Sequence, residues 1–486
     1  MTNLRRSLII NFFSSSGAAL MQFFVSVALA RMLSPREIGV FSMTAVFVTV
    51  AHMFRDFGVA NYIQREPNLT SDKIRSAIGV MYTTSWSLAL IMFLTSPLLA
   101  TWFHEPGMVP VMRVLALGFV IVPFGSLTHS MLIRELAADK QAYVTAAGTI
   151  SYCVSCLILA AFGFGTMSLA WANLINICTC ALAYVPLRPK EMPWLPSLRH
   201  WREVVHFGIG SMMTNCVDAI NGVIPDTLLG KLGGAHHVGL FSRANSTVSI
   251  FNYAAGNTIT YGAVSYLSQA HHRGDSLVPV LRRATRLLTG IGWPAFALSA
   301  VLARDLVVTL YGPNWADSAP AVAPLAMAAA ITMLFQYTPS GLTAVGRPYL
   351  GALPLTAVLF SRIAFGYLLY DGSLVGFGWA VCLATAASGP VQIYLQSRYL
   401  NFSLRDLCSA ITPSVVVTFI CLLTGKTFQL LLPQTTPAIV RLLLIGPPMV
   451  AVWYVALHIA GHELAGEVNQ LARGFKTRLG RLVRLT

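Results

Sequence analysis

The 486-residue chain is 55% hydrophobic and 10% charged, with a mean hydropathy of +0.65. A soluble domain carries roughly 25% charged residues because its surface faces water; an assembly of soluble domains is therefore excluded, and the outer surface faces lipid. The 33 Lys and Arg exceed the 18 Asp and Glu to give a net charge of +15, which in a soluble chain would point to nucleic acid, but here the basic residues sit between apolar runs.

A helix crosses the hydrocarbon core with about 20 apolar residues. In chain order the candidates are Leu8–Ala30, Ile38–Ala60, Ile78–Leu99, Pro110–Leu132, Ala142–Ala161, Met167–Leu187, Val205–Leu229, Val238–Leu267, Leu287–Leu310, Ala321–Val345, Leu350–Tyr370, Val375–Leu395, Leu407–Leu423 and Ile439–Ala460. The reading is an all-α polytopic membrane protein of about fourteen transmembrane helices, the thirteenth being the shortest. Arg5 and Arg6 before the first stretch mimic a signal peptide. No small-residue cleavage site leads into a soluble domain and another span follows at once, so the stretch reads as a retained helix.

Charge sets the expected orientation. With both termini cytoplasmic, 23 of the 33 basic residues fall in inside segments and 6 on the outside, counting Arg304 and Arg441 at the outer ends of the ninth and fourteenth spans. The remaining four, Arg55, Arg113, Arg243 and Arg362, lie within spans. This obeys the positive-inside rule and accounts for the net charge without nucleic acid. The loops are too short for an extramembrane catalytic domain. Eight cysteines, Cys153, Cys156, Cys178, Cys180, Cys216, Cys382, Cys408 and Cys421, lie in or beside apolar segments, where free Cys behaves as a small hydrophobe. Cys153 and Cys156 form a CxxC, but metal or redox use needs polar, accessible surroundings.

A repeat runs at an offset of 200 residues: Ile38-Gly39-Val40-Phe41-Ser42 opens the second span, and Val238-Gly239-Leu240-Phe241-Ser242 opens the eighth. Arg31 and Lys231 each precede their copy by seven residues. Six spans separate the copies, so the repeat is parallel, with two six-helix bundles related by an axis along the membrane normal. The expected organisation is an N-terminal bundle over 1–203, a second over 204–397, two extra C-terminal helices over 398–460, and a basic amphipathic cytoplasmic tail over 461–486. In that tail Leu464, Val468, Leu471, Phe475, Leu479 and Leu482 recur at spacings of three and four among five basic residues, which suits an anionic leaflet or a docking partner.

These motifs carry a family resemblance. Leu29-Ala30-Arg31-Met32-Leu33-Ser34-Pro35-Arg36-Glu37-Ile38-Gly39-Val40-Phe41 resembles the first-hairpin signature of the bacterial polysaccharide exporters. Asp56-Phe57-Gly58-Val59 looks like the close of its second helix, and Asp226 through Gly230-Lys231 to Arg243-Ala244 is similar to the turn between helices seven and eight. Tyr311-Gly312-Pro313-Asn314-Trp315 and Gly341 through Gly346-Arg347-Pro348 match two later landmarks. The pattern resembles the O-antigen, capsule and exopolysaccharide flippases, especially the colanic-acid-exporter-like branch, in a superfamily with lipid II flippases and multidrug and toxin extruders. The resemblance implies two bundles in a V that move an undecaprenyl-pyrophosphate-linked oligosaccharide to the outer leaflet by alternating access. It implies the bacterial cytoplasmic (inner) membrane, with polysaccharide polymerase and export machinery as candidate partners beside the lipid-linked substrate and membrane lipids.

Ionisable groups within spans are costly and become site candidates. Arg362 lies near the middle of the eleventh span, where a cation needs an anionic ligand, an acid partner or a hydrated cavity; guanidinium pairs bidentately with phosphate oxygens. Arg55, Arg113 and Arg243 are further substrate-binding candidates, although snorkelling accounts equally for Arg55 and Arg113. Asp218, beside Thr214, Asn215 and Asn221, is the candidate for coupling to a proton or sodium gradient. Asp226 and Arg243 flank the turn between the seventh and eighth spans and are expected to form a structural ion pair. His52 can titrate, or serve packing alone. No catalytic residue, metal site or bound cofactor is expected. An exporter of small cationic drugs would line its cavity with acids and aromatics, and a polymerase or ligase would carry a long outer loop. A glycosyltransferase would pair acids around a nucleotide-bound metal, and the sequence has no such DxD.

Overall fold

Inside a bilayer every backbone N–H and C=O must be satisfied within the segment, which leaves the helix as the unit of an apolar chain. A computed structural model describes residues 2–470 except 57, 58, 67, 68, 136, 190, 191, 194, 200 and 434. Side chains are described there apart from 2–13, 15, 56, 61, 64, 65, 203, 204, 206–216, 218 and 251–266. All regular elements among the described residues are helical. Two compact units form, Met1–Ser242 and Arg243–Thr486. The division falls after the second copy of the repeat, not at 203/204.

The first unit holds α1 (Thr2–Met32), α2 (Pro35–Asp56), α3 (Val59–Arg65), α4 (Ser71–Phe103), α5 (Met108–Ile121), α6 (Pro123–Arg134), α7 (Ala138–Ala161), α8 (Thr166–Tyr184) and the first part of α9 (Trp201–His272). Pro35 opens α2 in the first-turn position that tolerates proline. Ser34 and Glu37 close a reciprocal cap there, Ser34 N–H donating to Glu37 Oε2 at 2.8 Å and Glu37 N–H to Ser34 Oγ at 3.4 Å. This gives the Ser34-Pro35-Arg36-Glu37 motif its structural reason. The expected fourth span is bent by 53° between α5 and α6. Pro123 stands at the break and has no N–H to give the preceding turn. The expected seventh and eighth spans are the two arms of α9, parted by Gly234 at φ 73°, a conformation glycine adopts without a Cβ penalty.

Loops that the charge rule assigns to one side share one end of the unit. Arg36 pairs with Glu105 at 3.0 Å, Thr166 Oγ1 donates to Glu37 O, and Lys231 Nζ donates to Trp102 O. At the other end Arg134 Nη1 donates to both Ile63 O and Glu66 O, and Lys73 pairs with Glu66 at 2.6 Å.

The second unit continues α9 into α10 (Val278–Val301), α11 (Ala303–Tyr311), α12 (Ala319–Leu334), α13 (Thr338–Ala344), α14 (Ala352–Leu369), α15 (Leu374–Ala387), α16 (Gly389–Tyr399), α17 (Leu404–Leu431) and α18 (Ala438–Ile459). The expected ninth span is bent by 80° between α10 and α11. The thirteenth helix, expected to be the shortest, is 28 residues long: a capping box of Ser403 and Asp406 starts it just before the expected span, and it runs on to Leu431. Its Thr412, Thr418 and Thr424 hydroxyls return to carbonyls in the preceding turn, so they add no unmet polarity to the span. Nor are the last two helices a separate appendage. Val417, Cys421, Ile445, Met449, Ala456 and Leu457 share a core with Leu302, and buried Asp305 pairs with Arg441.

Among the described residues nine helices are long and apolar enough to cross a membrane, and the two bent pairs make eleven. The other three sequence segments are α1 and the two arms of α9. The tail beyond Gln470 lies outside the described residues; of the amphipathic stripe expected over 461–486, Leu464 is buried in the core of α17 and α18 and Val468 packs against it, facing protein and not lipid.

Candidate functional site

The repeat folds onto itself. A Cβ on Gly39 would fall 1.7 Å from Ala235 O, and a Cβ on Gly239 would fall 1.8 Å from Pro35 O. The two contacts exchange under the 200-residue offset, since 35 maps onto 235 and 39 onto 239. Such reciprocity is what a two-fold relation between the copies requires. Pro35 and Gly39 on one helix, and Ala235 and Gly239 on the other, give the small-residue spacing that lets membrane helices approach main chain to main chain. Val40, Val238, Leu240 and Phe241 are buried around the crossing. Gly39 and Gly239 are therefore fixed in the sequence by the crossing itself.

Arg243 follows one turn later, at the start of the second unit. Its guanidinium carbon lies 5.5 Å from the Tyr311 ring centroid and 5.9 Å from that of Trp315. Both rings are fully buried. Gly312, at φ 101°, ends α11 and turns the chain into the short 3-10 helix Pro313–Ser318 that carries Trp315. The Tyr311–Trp315 motif is thus a cation-holding aromatic corner. Asp226 is half-buried in the first unit, and each member of the expected pair is described within its own unit.

The other candidates do not converge on one place. Arg55 is in the last turn of α2, where its Nη1 donates to His52 Nδ1 at 2.6 Å. Arginine has no acceptor, so Nδ1 is the accepting ring nitrogen of His52 in this contact. The His52 ring lies 4.7 Å from Phe119. Two residues that the sequence left as separate candidates thus form one hydrogen-bonded pair. Arg113 is exposed near the other end of the unit, its guanidinium 4.8 Å from the Phe93 ring centroid. Arg362 is half-buried midway along α14, beside the exposed face of Phe360, Ile363, Tyr367 and Leu368. Asp218 lies in α9 with its side chain outside the described residues.

No group of three metal-ligating side chains occurs among the described residues. Cys153 and Cys156 are buried and free within α7.

One polar cluster was not anticipated. Arg282 of α10 pairs with Asp406, Arg283 with Glu467 at 2.6 Å, and Arg286 with Glu463. Buried His462 accepts Leu464 N–H at Nδ1 (3.1 Å), which leaves Nε2–H to donate to Ser414 Oγ at 3.1 Å. The sequence signal was three arginines within one turn facing two glutamates spaced i, i+4. Charge counting assigned those arginines to topology alone.

These elements define a polytopic helical membrane protein with an internal two-fold relation. Residues 28–320 match the polysaccharide biosynthesis protein family, and the chain belongs to that family. It is similar to the succinoglycan biosynthesis transport protein ExoT of Rhizobium meliloti (strain 1021), at 23% identity across 97% of this chain and 89% of that protein. Among solved structures, the lipid II flippase MurJ in an inward closed conformation superposes with a TM-score of 0.76, covering 94% of this chain and 99% of that one at 12% identity. An inward-facing multidrug resistance MATE family transporter of the MOP superfamily superposes with a TM-score of 0.63, covering 79% and 94% at 16% identity. At these identities the two structures establish a shared fold.

Proposed function

We propose that the chain is a flippase that moves a lipid-linked oligosaccharide repeat unit across the bacterial cytoplasmic membrane during surface polysaccharide synthesis. One observation carries this reading: a chain of the polysaccharide biosynthesis family has, over 94% of its length, the fold of a lipid flippase. The parallel repeat, whose copies meet at Gly39 and Gly239, supports alternating access. Both termini face the cytoplasm in this reading, and the basic loops with them. The chain transports rather than catalyses, with a proton or sodium gradient driving the cycle and Asp218 as the coupling candidate. Arg362, with Arg55, Arg113 and Arg243, supplies cations for the pyrophosphate or an acidic glycan. Polymerase and export proteins take the product.

The test is complementation. Cells lacking the gene should lose surface polysaccharide while lipid-linked repeat units accumulate, and the wild-type chain should reverse both. Normal surface polysaccharide in those cells would refute the assignment. The MATE-like fold favours drug export as the second reading, which predicts drug sensitivity in the same cells with polysaccharide intact.

A further inference from the structure

Among the described residues between α8 and α9, Met192 points inward, while Leu195 and Leu198, with Trp201 at the start of α9, point outward. Met192 is 3% exposed and joins the core of Ile74, Ile78, Met81 and Leu127. Leu195, Leu198 and Trp201 are 68%, 54% and 45% exposed. The segment is held, not loose. Arg75 Nε donates to Leu195 O at 3.3 Å, Ser197 N–H donates to Arg75 O at 2.9 Å, and Arg188 Nη2 donates to Pro193 O at 2.5 Å. Gly79 of α4 makes the seat, since a Cβ there would stand 2.1 Å from Ser197 O. A polar loop seated this firmly would turn its polar side chains outward. This one presents two leucines and a tryptophan.

Charge tells what covers them. Arg199 and Arg202 are exposed between and beside the apolar residues, and the Arg202 guanidinium lies 5.7 Å from the Trp201 ring centroid. Exposed Leu182 and Val185 stand at the end of α8, a helix apolar and long enough to cross the membrane, shortly before these residues in the chain. Aromatic and aliphatic side chains interleaved with arginines match the boundary between acyl chains and headgroups. Anionic headgroups supply the charge that two exposed arginines lack.

We propose that residues 195–202 form an interfacial membrane-binding element, with Leu198 and Trp201 immersed at the level of the headgroups and Arg199 and Arg202 on the phosphates of anionic lipids. This is independent of the transported substrate. It anchors the connection between α8 and α9 at the bilayer surface.

The experiment uses the full chain with its native cysteines replaced, a nitroxide attached through Leu198→Cys, and reconstitution into vesicles. Collision with oxygen, against collision with a water-soluble nickel chelate, reads the depth of the label. In phosphatidylcholine containing phosphatidylglycerol, the label should collide with oxygen and be shielded from nickel. Adding Arg199→Gln and Arg202→Gln should lower the ratio of immersed to withdrawn label about thirtyfold, as should pure phosphatidylcholine. Elution of every variant as folded protein in gel filtration controls for misfolding. A label open to nickel in the anionic vesicles would overturn the proposal. So would a label shielded from both reagents, which means protein covers the segment, or immersion unchanged by lipid charge and by the glutamines.

Discussion

Alanine at Gly39 sets two physical terms against each other. Within a helix, Gly→Ala is favourable by up to about 1 kcal/mol, because alanine loses less backbone freedom. At this position the new Cβ would stand 1.7 Å from Ala235 O, whereas a carbon and a carbonyl oxygen rest at about 3.3 Å or more. Main chain stands on both sides, so no side chain can swing away and the helices must part by roughly 1.6 Å. Overpacking costs about 1–3 kcal/mol, and a backbone-to-backbone clash belongs at the upper end. A net loss of about 2 kcal/mol follows. Gly239→Ala, at 1.8 Å from Pro35 O, should lose nearly the same. The double variant should lose less than the two singles added, because the first substitution opens the gap that the second needs. Gly222→Ala is the control, since a Cβ there meets nothing within 4 Å. The assay is thermal unfolding of purified protein in detergent. Both repeat variants should melt several degrees below wild type, and the control at or above it. A Gly39→Ala protein that melts at or above wild type would show that helix propensity wins and that the crossing is not this close.

Arg362→Ala should abolish polysaccharide export at normal membrane levels of the protein, while Arg362→Lys retains part of it, because lysine keeps the charge without the bidentate fork. Export at wild-type rate by the alanine variant would remove Arg362 from the site. If Asp226 and Arg243 form a structural pair, alanine at either should reduce folded protein in the membrane by the equivalent of about 3–5 kcal/mol. A charge swap should recover only part of that, since Arg243 also rests on Tyr311 and Trp315; normal protein levels in both alanine variants would show that the pair is not structural. At His462, burial first and the Arg286 cation second hold the ring below its ordinary value, against the opposing Glu463 carboxylate. The unfolded chain therefore takes up a proton sooner than the folded one, so docking of residues 463–470 is fully stable above about pH 6.5 and weakens as pH falls below it. The protection factor of the Leu464 amide, its exchange rate corrected for the intrinsic pH dependence of amide exchange, should fall as pH drops below about 6.5 in wild type and be low at all pH values in His462→Ala. A protection factor at Leu464 that is independent of pH in wild type would contradict this.

The fourteen apolar segments were legible because lipid leaves hydropathy as the only outer surface a helix can present. The repeat was legible because a backbone crossing leaves room for nothing but glycine at Gly39 and Gly239. Bends escaped notice where a break leaves hydropathy unchanged. Pro123 and Leu302 are as apolar as their neighbours, whereas the break at Gly234 falls in the turn that Lys231 marks between two apolar runs. The thirteenth helix was underestimated at both ends: the Ser403–Asp406 capping box starts it before the apolar run, and Lys426 and Gln429 after that run read as loop, although Gln429 Nε2 donates to Val301 O. Candidate cations were legible one by one, as charges at membrane depth. Their surroundings were not, apart from spacing within one helix. Arg55 meets His52 three residues away, a pairing that helix periodicity allows. Arg243 meets Tyr311 and Trp315 only through tertiary folding. The outward leucines of the α8–α9 segment were hidden in a stretch that reads as a basic loop, and only the burial of Met192 shows which way the others point.

The central claim is that this chain carries the sugar of a lipid-linked repeat unit from one leaflet to the other. It is tested most directly by the leaflet in which that lipid resides. Spheroplasts with and without the chain, in a strain unable to polymerise the repeat unit, would be treated with a membrane-impermeant reagent that oxidises glycans. Modified and unmodified lipid-linked sugar would then be measured by mass spectrometry. The lipid-linked sugar should be modified when the chain is present, and protected in its absence until the membrane is permeabilised. Equal modification with and without the chain would contradict the account.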